Sequence, residues 1–164
     1  MRIRNAERAS PEEDDKDQRT RQMDIIRALE EAVQLNPFQA GYHLDLGWAY
    51  VYLWKDPDYY KRWLPAADIS MERAAYCAGE NSPSLHVHLG NYWVFRSKTV
   101  NPAQPEWESA WAKARRHYKK AQGLERSKRL AEKIVNYVWR YYPDRELISK
   151  VLLIENRSLL QQIK

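Results

Sequence analysis

Four histidines, a single cysteine, a dense group of cations and 20 aromatic rings are the side chains of this chain that could do chemistry. His86 and His88 are two positions apart in a helical stretch, so they face different ways and do not close on one metal ion. His43 and His86 read as core or boundary histidines, and His117 falls among cations. Cys77 sits in the alanine-rich stretch AAYCA and reads as a small core hydrophobe. One cysteine leaves no internal disulfide framework and no cysteine-based zinc site. Asp14, Asp15, Asp56 and Asp58 lie in polar segments with no sign of the burial that turns a carboxylate into a catalytic acid or base. The chain contains no His-Glu-x-x-His, no glycine-rich phosphate loop and no nucleophile motif. The expectation is a protein that is not an enzyme, with no catalytic residue, no bound metal and no cofactor.

The cations are concentrated. Lys113, Arg115, Arg116, Lys119, Lys120, Arg126, Lys128, Arg129, Lys133 and Arg140 are opposed in residues 111–140 only by Glu125 and Glu132. Two readings stand for this block. It is a solvated helix face, or it is a surface for phosphate, an anionic lipid or an acidic partner, RNA included. The 7 Trp, 11 Tyr and 2 Phe are more rings than a core of this size readily hides, which places some of them on a recognition surface.

These side chains must be carried by helices. The 164 residues suit one domain or a short stack of repeats, and only 5 are glycine, while turn-rich all-β folds need many more. No stretch nears the roughly 18 uncharged apolar residues of a membrane helix. MRIRNAERASPEEDD has no apolar run after its arginines and does not read as a signal peptide. The expectation is a soluble chain, cytoplasmic or the soluble part of an envelope-associated system.

Residues 1–21 mix charges without a hydrophobic period and read as a flexible arm. Ile25, Ile26, Leu29, Ala32, Val33 and Leu35 fall at helical spacing up to Asn36-Pro37. Further helices are predicted at 40–53, 66–78 (stopping at Gly79), 83–97, 105–122, 126–141 and 144–153. Pro105 suits a first helical turn because its missing N–H has no partner there anyway. Residues 22–153 form the helical domain, and 154–164 are a tail or the end of a capping helix. No strand pattern is present, so the fold class is all-α.

The segments NPFQAGYHLDLGWAY and SPSLHVHLGNYW repeat one another. His43, Leu46, Gly47 and Tyr50 recur as His86, Leu89, Gly90 and Trp93 at a constant offset of 43. Alanine-rich helices follow each copy (Ala67, Met71, Ala74; Ala114, Tyr118, Ala121). Two antiparallel helices approach closely only where a side chain shrinks, so Gly47 and Gly90 mark interhelical crossings, at about 1 kcal/mol each in helix propensity. One such pair cannot bury its own apolar face, so pairs must stack.

On these residues the chain resembles the tetratricopeptide repeat family over about residues 22–141. Ile25, Leu29, Ala32 and Pro37 match the second half of a preceding repeat, and Leu130, Val135 and Trp139 the first half of a degenerate third. The repeats exceed the usual length of about 34 residues, with the extra chain in 54–65 and 97–106. Their Trp54, Tyr59, Tyr60, Trp63 and Trp107 are binding decorations or aprons over the stack. The resemblance implies a short right-handed superhelix of antiparallel helix pairs, with extended inter-helix loops and a C-terminal capping helix. LNPFQAGYHLDLGWAY, SPSLHVHLGNYWVFR and VNYVWRYYPDRELISKVL are further similar to the soluble repeat tails of bacterial O-antigen ligase/polymerase-like envelope proteins. That similarity implies a bacterial origin and a role near envelope polysaccharide assembly, without ligase activity.

In tetratricopeptide stacks the first helix of each pair lines a concave face. The implied partner-binding residues are Trp48, Val51, Tyr52, His88, Asn91, Val94, Phe95 and Tyr137, with Leu44, Val87, Lys133 and Tyr141 beside them. Such a groove suits a peptide or a partner helix; burial of Trp48 and Phe95 by a neighbouring pair is the competing reading. The family's lysine–asparagine grip on an acidic peptide terminus is not supported in the first pair, where Leu44 and Trp48 stand. The function expected is therefore a non-enzymatic protein-interaction scaffold, with RNA or anionic-surface binding through 113–133 as the alternative. The open ends of a stack also allow a homo-oligomer.

Overall fold

A computed structural model describes residues 11–79, 81–153, 156 and 158, with side chains from Asp15 onward. Among the described residues seven α-helices follow one another: α1 (Pro11–Leu35), α2 (Ala40–Val51), α3 (Leu64–Cys77), α4 (Pro83–Lys98), α5 (Pro105–Leu124), α6 (Lys128–Tyr141) and α7 (Arg145–Val151). A single π-helical turn, Tyr59–Trp63, leads into α3. Among the described residues there is no strand, and no helix is long and apolar enough to cross a membrane. The chain divides into two compact units, Met1–Ser70 and Met71–Lys164.

Local chemistry accounts for the helix ends. Ser82 Oγ accepts from the Leu85 N–H, Ser127 Oγ from the Leu130 N–H, and Asp144 Oδ1 from the N–H groups of Glu146 and Leu147, which caps α4, α6 and α7. Pro83 and Pro105 open α4 and α5. α3 stops at Gly79, whose φ of +57° is the left-handed turn that a glycine makes at least cost.

In the first unit α1 packs on α2. The buried His43 holds the connecting turn, its Nε2 lying 2.8 Å from the Pro37 carbonyl oxygen. Tyr50 donates its hydroxyl to Glu30 at 2.7 Å and stacks on Trp63. Residues 11–21 correct the expectation of a flexible arm, because α1 begins at Pro11. Pro at the first helical position followed by four acidic residues suits a helix start. Lys55–Asp15 (2.8 Å) and Arg19–Asp56 (2.6 Å) then tie this charged half of α1 to the turn after α2. Residues 1–10, the rest of that expected arm, lie outside the described residues.

The loop after α2 divides its aromatics. Tyr59 and Trp63 are buried at 3% and 6% exposure, whereas Trp54 and Tyr60 stand in solvent. Trp107, at the start of α5, is half-buried on Trp111 and donates Nε1–H to the Tyr142 hydroxyl at 3.1 Å.

In the second unit α4 and α5 form a tight hairpin, α6 lies against both, and α7 covers α5 and α6. Leu89, Tyr92, Val94, Trp111, Ala114, Tyr118, Ile134, Val138 and Ile148 make its core. At Gly90 α4 lies tightly against α5: a Cβ there would stand 2.5 Å from Tyr118 Cε1. α7 falls within the helix expected at 144–153. The buried Gln122 clasps the chain after it, donating to the Val151 carbonyl at 2.8 Å and accepting from the Leu153 N–H at 3.2 Å and from Asn156 Nδ2 at 2.9 Å. Of the expected 154–164 tail, only Asn156 and Ser158 are described.

Candidate functional site: a groove between α4 and α6

A groove of about 610 Å³ runs between α4 and α6 within the second unit. Helical spacing builds its walls. Ser84, Val87, His88 and Asn91 recur at three- and four-residue steps along α4, and Arg129, Lys133, Asn136, Tyr137 and Arg140 do the same along α6. α6 buries Ala131, Ile134, Val135 and Val138 on its other side, which turns this polar stripe outward.

Asn91 is held in place before any ligand arrives. The Tyr118 hydroxyl donates to Asn91 Oδ1 at 2.7 Å, so the amide is oriented and its Nδ2 donor is left for a ligand. Tyr118 is fully buried, and burial, with Tyr137 and Tyr141 nearby, pushes its phenol well above the ordinary range. The proton of this hydrogen bond therefore stays in place at every physiological pH. Arg129, Lys133 and Arg140 contribute three cations, and no ion pair engages them among the described residues. Glu125 is the one acidic lining residue. With Tyr137 and His88, the wall is rich in donors and poor in acceptors, which is the complement of an anionic, acceptor-rich ligand.

The residues expected from sequence divide three ways. His88, Asn91 and Tyr137 come together in this groove, along with Val87 and Lys133. Phe95 is half-buried, its ring 6.4 Å from that of Tyr92, and is not part of the groove wall. Trp48, Val51 and Tyr52 belong to the first unit; Trp48 is half-buried and Tyr52 is exposed.

Val94 and Val51 are corrections, at 0% and 8% exposure. At about 100° per residue, a side chain four positions after a glycine returns to within about 40° of it. Val94 therefore shares the close-packed side of Gly90, and Val51 lies with Gly47 on the buried side of α2.

The basic block also divides. Lys113 pairs with Glu72 at 2.6 Å and lies 4.0 Å from the Trp93 ring centroid. Arg115 pairs with Glu108 at 2.6 Å, Lys120 reaches the Gly79 carbonyl at 3.4 Å, and Lys128 sits 3.6 Å from Glu132. Arg116 and Lys119 are exposed. The groove draws on Arg129 and Lys133, and on Arg140, which belongs to the basic block but lies beyond the 113–133 stretch expected to bind anions. Its signal was present in the seven-residue step from Lys133 to Arg140.

His86 and His117 form a pair that the spacing did not reveal, 31 residues apart in sequence. Their Nδ1 atoms are 3.1 Å apart and their rings stack at 5.3 Å, so a single proton is shared between two neutral imidazoles. Burial, then the Lys120 charge, lowers His86; burial, His86 and the surrounding cations lower His117 to about 4. No group of three or more His, Cys, Asp or Glu side chains converges among the described residues.

No protein-family model, curated protein or solved structure matches the chain.

Proposed function

We propose that the chain is a non-enzymatic interaction module that holds an acidic peptide segment along the α4–α6 groove, within a tetratricopeptide-like stack of helix pairs. The observation that carries this reading is the pre-set Asn91 amide facing three unpaired cations across one groove. Fixing Asn91 through Tyr118 removes rotamer entropy that a ligand would otherwise have to overcome. Val87, Leu130 and Tyr137 give the groove apolar surface for side chains between the acidic positions. The close fit of Gly90 under Tyr118, together with α6 against α4, supports the stacked-pair arrangement.

The test is a fluorescence-anisotropy titration of the full chain with labelled acidic, neutral and basic peptides of equal length. Acidic peptides are expected to bind best, and their affinity to fall steeply with salt. Asn91→Ala and Lys133→Glu should each weaken binding about tenfold or more. Phe95→Ala should leave it nearly unchanged. Equal binding of all three peptides, or acidic binding that survives Lys133→Glu, overturns the reading.

A further inference from the structure

A second cavity, of about 530 Å³, lies wholly in the first unit, between the charged half of α1 and the turn that follows α2. Its walls carry Gln18, Arg19 and Gln22 on one side and Tyr52, Trp54 and Lys55 on the other. The volume is in the range of small-molecule sites. We propose that this cleft binds a carbohydrate, an uncharged pyranose unit of an oligosaccharide laid against the Trp54 and Tyr52 rings.

The aromatics carry the first part of the argument. Tyr52 and Trp54 are 67% and 65% exposed, while Tyr59 and Trp63 of the same loop are buried at 3% and 6%. The loop therefore has the means to bury rings and leaves these two in water at the mouth of a cavity. Two such rings are a ready contact surface for a ligand with a flat apolar face.

The charges carry the second part. Lys55 pairs with Asp15 at 2.8 Å and Arg19 with Asp56 at 2.6 Å, so four of the five charged groups in the wall are already neutralised. An anionic ligand would gain little here, in contrast to the α4–α6 groove. A wholly apolar ligand would strand the polar atoms of Gln18, Arg19 and Asp15. Gln22 spends its Nε2 on the Ala49 carbonyl at 2.7 Å, which leaves Oε1 as an acceptor. The cleft thus offers donors and acceptors together, with Lys16 the one charge outside those pairs, next to exposed ring faces. A pyranose matches this: its axial C–H groups present a weakly positive apolar face to the negative face of an aromatic ring, and its rim of hydroxyls both donates and accepts. A proline-rich peptide also docks on aromatic grooves, but it offers mainly carbonyl acceptors and leaves Asp15 Oδ2 and Gln22 Oε1 without donors.

The test uses the full chain and saturation-transfer NMR with soluble cello-, manno- and chito-oligosaccharides, and with a polyproline peptide as the competing ligand. At least one neutral oligosaccharide is expected to receive saturation and to bind with millimolar or better affinity, insensitive to salt. Trp54→Ala should weaken it about tenfold and Gln18→Ala several-fold. Trp54 is exposed, so far-ultraviolet circular dichroism of the variant should be unchanged. Lys133→Glu, in the other groove, should have no effect. The proposal is overturned if no oligosaccharide receives saturation, if binding survives Trp54→Ala, or if the polyproline peptide alone binds and loses affinity in that variant.

Discussion

The ring of Tyr118 fills the space that a side chain at position 90 would occupy. A Cβ built on Gly90 meets Cε1, Cδ1 and Cζ of that ring at 2.5, 2.6 and 2.9 Å. Because Tyr118 is completely buried and its hydroxyl is committed to Asn91, the ring has nowhere to retreat. One contact therefore does two jobs: it sets how closely α4 and α5 approach, and it fixes the amide that faces the α4–α6 groove.

Gly90→Ala should destabilise the protein by about 2 kcal/mol, since overpacking outweighs the gain of roughly 1 kcal/mol in helix propensity. Gly123, in the last turn of α5, has nothing within 4 Å of an added Cβ. Gly123→Ala should therefore stabilise by about 0.5 kcal/mol. Urea denaturation of both variants checks this. A Gly90→Ala protein as stable as the parent would show that the ring is free to shift.

Local signals were legible where a residue's own chemistry decides the outcome. Ser82-Pro83 and Pro105 open helices, Gly79 closes one, and Gly90 marks a crossing. What escaped depended on partners distant in sequence. The first ten residues of α1 have no apolar period, and their ties to Lys55 and Asp56 come from some 40 residues away. The same separation hid the cleft at Trp54. In the basic block, which cations stay unpaired turned on packing: Glu72 takes Lys113 and Glu108 takes Arg115, while Arg129, Lys133 and Arg140 stay with the groove.

Tyr118→Phe removes one hydroxyl and keeps the ring that fills the Gly90 notch. Asn91 Oδ1 then loses its donor, and the amide is free to rotate. Stability should fall by about 1 kcal/mol, the net worth of a typical hydrogen bond. Acidic-peptide affinity should fall about three- to tenfold through loss of pre-organisation. The pairing of a small stability loss with a larger affinity loss separates this variant from one that merely loosens the core. Calorimetric titration and urea denaturation on the same preparation measure both. Unchanged affinity would remove Asn91 positioning from the account.

Gln122→Leu keeps the volume but deletes the hydrogen bonds by which Gln122 clasps Val151, Leu153 and Asn156. The Val151 carbonyl and Leu153 N–H would lose their partners at a buried site, at a cost of about 2–4 kcal/mol. The loss should be local at first, because α7 is short and its neighbours are α5 and α6. Hydrogen exchange should accelerate over 145–153 well before α4. Uniform acceleration across the second unit would instead mean that α7 and the α4–α5 hairpin unfold together.

Acid should weaken the second unit through His86 and His117. Both are held below their ordinary value in the folded chain, His117 at about 4, so below the unfolded value of about 6.5 the unfolded chain binds more protons. Stability is therefore complete above about pH 6.5 and is lost as pH falls towards about 4, where the effect levels off. Protonating either ring also places two N–H donors face to face across 3.1 Å, with Lys120 and Arg116 adding repulsion. The loss should amount to about 2–3 kcal/mol, read as a falling urea midpoint between pH 7 and 4.5. His117→Gln removes the charge change at that position and should flatten the curve by about half or more. A His117→Gln profile that tracks the parent would assign the acid sensitivity to carboxylate ion pairs such as Lys113–Glu72 instead.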